Sequence, residues 1–248
     1  MRSLLLVSFL LLAFAALGMA ESTSALTRVA DGFDFPIGDC DATGYHKARG
    51  FQRGGHPGED WNGPAGGNTD LGDPVYAIGN GIVVLSRDVQ GGWGNVVIVR
   101  HAYYDNGRLD YIDSLYAHLD KMNVSEGEVI SRRQQIGTIG NNRGMYHAHL
   151  HFEIRKNLAI GMNRSAFPKD LENYCDPTNF IAKRRALSRP DDTARVALNT
   201  FKAPEVIQYA DASSTRKSRS SSSSLRRPPG LKLRITATFQ GTQVQHFD

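Results

Sequence analysis

The sequence predicts an all-β domain, antiparallel sheets folded around a groove, followed by a short helical C-terminal extension and a disordered tail. Three observations carry this. Met145 to Lys156, MYHAHLHFEIRK, repeats histidines and apolar residues at every second position, the period of a strand. Short apolar or alternating runs elsewhere are separated by turn-forming clusters, Gly79-Asn-Gly81, Gln90-Gly-Gly-Trp-Gly94 and Asp105-Asn-Gly107. No helix-period stretch of respectable length interrupts them.

Met1 to Ala20 joins a basic Arg2, a short Leu-, Val-, Ala- and Phe-rich run and a small-residue exit at Gly18-Met-Ala20, and reads as a cleaved signal peptide rather than a membrane span. The chain is therefore expected to be exported, periplasmic or extracellular, with no membrane span after cleavage. Residues 21–32 form a leader segment. From Ala30 to Arg53 the chain is Gly- and Asp-rich, an irregular lead-in packed by Phe33, Phe35, Tyr45 and Phe51. Strands are expected at Val75–Ile78, Gly81–Ser86, Asn95–His101, Asp110–His118, Gln135–Ile139 and His147–Arg155. Asp176-Pro177 offers a helix start, Asp as cap and Pro at the first helical position, ahead of Phe180 to Leu187. A second short helix is expected from Asp191 or Asp192 to about Phe201, so residues 181–212 read as a helical extension. Residues 213–248 are a low-complexity tail, Ser- and Arg-rich as far as Gly230, with a loose or strand-like end around LRITATF.

The formal charge of +4 is mild and gives no reason to expect nucleic acid as a partner. Arg216, Lys217, Arg219, Arg226 and Arg227 in the tail either form a plain solvated linker or hold the chain weakly near an anionic envelope polymer. Cys40 and Cys175 are expected to form a disulfide in an oxidising compartment; the alternative is a Cys40 thiolate latched onto a metal.

Strand geometry sets His149, His151 and Glu153 on one face and Leu150, Phe152 and Ile154 on the other. Two imidazoles at i, i+2 begin a metal site, but catalytic zinc takes about three protein ligands and an open position. His56 and Asp60 in GGHPGEDWNG are the other candidates, with Pro57 and Gly58 arguing for a tight turn rather than a helix between them. His118 in LYAHLD follows Tyr116 at period two and reads as the polar face of a strand.

His56-Pro-Gly-Glu-Asp60, Tyr116-Ala-His118-Leu and His149-Leu-His151-Phe-Glu, in that order, resemble the LytM/lysostaphin-type zinc metallopeptidases that cut peptidoglycan peptides. The resemblance extends through GDPVYAIGNGIVV, GGWGNVVIVRH and GEVISRRQQIGTIG. It implies a peptidase domain over residues 33–180. It also implies one zinc ion per chain held by His56, Asp60 and His151, with His118 and His149 as the catalytic imidazoles and His149 favoured as base. The implied substrate is a peptidoglycan peptide; the alternatives are a peptidase of Gly-rich proteins and a non-hydrolytic wall-binding or amidase-activating module.

Glu59 and Glu153 are candidate partners of an imidazole N–H, with Glu59 expected to face away. His147 reads as groove lining or an exposed strand end, Tyr116 as packing, and His46, His101 and His246 as ordinary. Two features depart from the family pattern: Ala148 stands where many members have Pro, and Tyr103 to Ser114 reads as an insertion that could wall the groove.

Overall fold

Alternation of apolar and polar side chains builds one eight-stranded antiparallel sheet in the computed structural model, which describes residues 24–51, 55–162, 171–188 and 192–201. The chain divides into two compact units, Met1–Glu205 and Val206–Asp248, and every described residue lies in the first. The expected signal peptide, the tail and its LRITATF run lie outside the described residues.

The strands are β1 (Ser24–Arg28), β2 (His46–Arg49), β3 (Glu59–Asn62), β4 (Pro74–Tyr76), β5 (Gly81–Asp88), β6 (Asn95–Asp105), β7 (Arg108–Leu119), β8 (Val129–Ile130), β9 (Gln135–Thr138), β10 (Leu150–Arg155), β11 (Tyr174–Cys175) and β12 (Thr193–Ala197). The main sheet runs β2-β3-β10-β7-β6-β5-β8, with β11 also paired to β10. The pairs β1–β12 and β4–β9 form two small antiparallel sheets. The fold is all-β and antiparallel, as the alternation predicts.

One face of the main sheet, with Val97, Val99, Tyr116, Phe152 and Ile154, packs into the principal core with Val75, Ile136, Phe33 and Phe180. The opposite face holds Ile98, Leu115 and Ala117 toward its middle and carries the polar site at the β3–β10–β7 end. Burial on both faces explains the near-continuous apolar run of β6, where the sequence pattern alone cannot say which face is inside.

The helix α1 (Pro177–Ala182) has Asp176 as its cap, Oδ1 accepting from the Asn179 N–H at 2.9 Å, a contact worth about 1 kcal/mol. It stops short of Leu187 because the following backbone is taken by the lead-in: Phe33 N–H donates to the Arg184 carbonyl, and Leu187 N–H to that of Asp31. The second expected helix is corrected to β12. Thr193 to Ala197 alternates, burying Ala194 and Val196, and its partner β1 lies in the segment read as a leader. The TARVA alternation is itself a short strand signal, and β1 supplies the distant partner that completes it.

The expected disulfide is absent, and Cys40 and Cys175 are free thiols. Cys40 sits exposed in a turn whose carbonyl accepts from Phe35 N–H and from the Arg185 guanidinium. Cys175 is fixed on β11 against the principal core, and burial pushes its thiol pKa up. The Tyr103–Ser114 run is also corrected: it is the distal half of the β6–β7 hairpin, packed on the β1–β12 sheet and the core rather than walling the groove. Among the described residues no helix is long and apolar enough to cross a membrane.

Candidate metal centre

The site begins with the pleat of β10. Leu150, Phe152 and Ile154 enter the principal core, so His151, Glu153 and Arg155 must share the other face, where all three are buried. Register then supplies the second group. Asp60 of β3 lies directly opposite His151, and its Oδ1 stands 2.8 Å from His151 Nδ1.

His56 arrives by the turn that precedes β3, which runs so close to β10 that a Cβ on Gly58 would lie 2.3 Å from the Phe152 carbonyl oxygen. Only glycine permits that approach. His56 Nε2 is thereby brought to 3.1 Å from both His151 Nδ1 and Asp60 Oδ1. The three atoms form a triangle with sides of 2.8 to 3.1 Å. Ligand atoms about 2 Å from a tetrahedral zinc stand roughly 3.3 Å apart, so two imidazole nitrogens and one carboxylate oxygen at this spacing fit such an ion in both chemistry and size. No other such grouping of His, Cys, Asp or Glu occurs among the described residues, and Cys40 is not in it.

The remaining imidazole nitrogens are also engaged. His56 Nδ1 lies 3.1 Å from the Gly50 carbonyl, and His151 Nε2 lies 2.9 Å from Glu153 Oε1. Contacts of this kind fix which nitrogen faces a metal. Glu59, by contrast, faces away, held by Lys47, Thr178 and Trp61.

His118 reaches the site by a break in the strand. Regular alternation would place it with Tyr116 and Phe152, on the core face. Two residues of β7, Ala117 and His118, instead oppose Val96 alone, and His118 adopts φ 62°, in the left-handed region. This bulge turns the ring to the His151 side, 5.6 Å between centroids, with Trp93 stacked beside it. His149 sits just before β10, its ring 4.8 Å from that of His118 and its Nε2 4.0 Å from Asp60 Oδ1. Each ring donates Nδ1–H to a backbone carbonyl, His118 to Trp93 at 3.2 Å and His149 to His147 at 2.8 Å. Each therefore keeps a bare Nε2.

Burial would raise the Asp60 pKa, but hydrogen bonds from His151 and His56 outweigh it and hold the carboxylate well below its usual range. Burial likewise works against a charged His151, yet Asp60 and Glu153 raise it to about 9. His118 is driven the other way, to about 3, by burial first and then by the positive charge of His151 beside it. It is neutral at pH 7.

Above these groups lies a cavity of about 590 Å³ lined by Asp60, His149, Asn62, Asn68, Ala48 and the exposed Met145-Tyr146-His147. Ala148 explains one departure from the family pattern: its N–H donates to Asn68 Oδ1 at 2.8 Å, a bond that proline could not make. The sequence reading gathered His56, Asp60, His118, His149 and His151, and the fold brings all five together. It missed Trp93, Tyr146 and Arg155. Trp93 was visible only as part of a turn, Tyr146 lies tilted to His118 and edge-on to His149 across a loop, and Arg155 shares the His151 face by simple alternation.

Residues 54–163 match the profile of Peptidase family M23. The chain is 40% identical over 84 residues to Lipoprotein NlpD of Yersinia enterocolitica, covering 34% of this chain and 78% of that protein. It is 34% identical over 126 residues to Peptidoglycan DD-endopeptidase ShyA of Vibrio cholerae, covering 48% of this chain but only 26% of that one. Among solved structures, the antimicrobial peptidase lysostaphin from Staphylococcus simulans is 26% identical with a TM-score of 0.41, over 56% of this chain and 50% of that one.

Proposed function

The chain belongs to peptidase family M23, and from that premise we propose that it is an exported zinc metalloendopeptidase that hydrolyses amide bonds in peptidoglycan peptides. The observation that supports this best is the 2.8 to 3.1 Å triangle of His56, Asp60 and His151 donor atoms with two further imidazoles beside it. His56, Asp60 and His151 would hold the zinc. Bound there, zinc supplies polarisation of an amide carbonyl and a water of lowered pKa.

The chain's own residues supply the proton transfers. His149 presents a bare Nε2 to the cavity and accepts the proton of the attacking water. Once protonated, the ring becomes a donor for the leaving amine. His118, kept neutral by burial and held through Nδ1–H by the Trp93 carbonyl, turns a bare Nε2 to the site and acts there as an acceptor beside His149. Asn62 and Asn68 offer polar contacts for a peptide backbone along the cavity wall. Release from the cell envelope or retention by the basic tail falls to segments outside the described residues.

Incubation of the pure protein with isolated sacculi, with and without chelator, tests the proposal. Muropeptides released only without chelator are expected, and their masses name the bond cut. Binding without release at full zinc occupancy overturns hydrolysis and identifies a non-hydrolytic wall-binding or amidase-activating module. Cleavage of casein but not sacculi would point to the peptidase of Gly-rich proteins.

A further inference from the structure

The face of β10 that carries His151 continues into two buried charges that hydrolysis does not use. His151, Glu153 and Arg155 follow one another at i, i+2 and i+4, with exposures of 5%, 0% and 1%. His151 Nε2–H donates to Glu153 Oε1 at 2.9 Å, and Arg155 Nε–H donates to Glu153 Oε2 at 2.6 Å. Arg155 Nη1–H then donates to the Gly161 carbonyl at 2.6 Å, and the Tyr174 ring lies 5.8 Å from the guanidinium. Gly161 is itself packed against Phe201, which a Cβ there would approach within 2.8 Å.

We propose that Arg155, acting through Glu153, is a positioning residue that holds His151 with Nδ1 turned to His56 and Asp60 and thereby sets the affinity of the site for zinc. This rests on the reading that those three side chains are the ligands. The physical reason is directional. A flip of the His151 ring would withdraw its N–H from Glu153 and leave a fully buried carboxylate oxygen without its donor. Glu153 can hold that ring only while it is itself held, and the Arg155 fork does so by spanning two acceptors at once. Lysine, with one point of charge, can reach one of them.

A second bidentate pair offers a control. Arg132 holds the buried Asp34 at 2.7 Å through two nitrogens, and its further side-chain contacts run to Asp31 and the Arg185 carbonyl and not to the histidines, Glu153 or Arg155.

The test is zinc affinity of the full chain, measured by competition with a chromophoric chelator well below each variant's melting temperature. Glu153→Ala and Arg155→Met are expected to weaken zinc binding 10- to 100-fold, the usual effect of losing such a partner. Arg155→Lys should recover part of it, and Arg132→Met should bind as the wild type does despite a lower melting temperature. Where Arg155→Met does not fold, the near-isosteric Glu153→Gln carries the test, with a loss of about tenfold expected. Wild-type affinity in the Glu153 and Arg155 variants overturns the inference, and so does an equal loss in Arg132→Met, which would make the effect one of general stability. A wild-type chain that binds no zinc overturns the ligand assignment itself, a result separate from either.

Discussion

His118 shows how much one residue's backbone decides. Its left-handed φ is disfavoured for any residue with a Cβ, and conformations of this kind cost about 1–3 kcal/mol. The surrounding bonds impose it: the Trp93 carbonyl accepts both the His118 backbone N–H, at 3.1 Å, and its ring Nδ1–H. The cost buys a second imidazole on the His151 side of the sheet. The division of labour among the histidines is then open to substitution. His151→Ala should lose zinc, because it removes a donor atom of the triangle. His149→Ala should keep zinc near one per chain while hydrolysis falls about 10²- to 10⁴-fold, the usual worth of a general base. Zinc content and turnover measured on the same samples separate the two, and normal turnover in His149→Ala would remove it from the mechanism.

At the scale of elements, the site is a consequence of register. Asp60 meets His151 because β3 and β10 pair there, and slipping that pairing by one residue would send Asp60 to the core face. The turn carrying His56 is equally constrained, since Gly58 must lie against the β10 backbone at Phe152. Gly58→Ala is therefore expected to destabilise the fold by about 1–3 kcal/mol and to lower zinc occupancy together with it. Gly55→Ala, at a neighbouring position with open space around it, should change stability by less than about 0.5 kcal/mol. Chemical denaturation of the two variants side by side checks this, and equal stabilities would refute the close-packing account.

For the whole molecule, a buried histidine far from the chemistry couples folding to pH. His101 is fully buried, its Nδ1–H donating to the Asn80 carbonyl at 2.9 Å and its Nε2 2.7 Å from Ser114 Oγ. Burial lowers its pKa to about 4 despite the Asn80 contact. An unfolded chain takes up that proton near pH 6.5, whereas the folded one refuses it until about pH 4, so the unfolded state binds more protons in between. Stability should consequently fall as pH drops through this window, by about 2 kcal/mol between pH 7 and pH 5 from this group alone. Urea unfolding of the wild type and His101→Gln at both pH values isolates the contribution. Identical pH dependence in the two proteins would exclude it.

Much of the fold was legible locally. The alternation from Leu150 to Arg155, the Gly-rich turns and the Asp176-Pro177 cap are signals written within a few residues, and the fold follows each of them, while His147 to His149, expected in the same strand, lie in the loop before it. The five polar residues of the site could also be gathered from three short motifs, since side-chain chemistry is a property of the sequence itself. What only the tertiary structure decided was anything that depends on a distant partner. Thr193–Ala197 is a strand because β1 lies beside it, and His118 faces the His151 side because a bulge against β6 turns it there. Cys40 and Cys175 remain apart because their own segments are held elsewhere. Local propensity acts over a few residues, whereas register, burial and reach are settled only when strands far apart in sequence pack together.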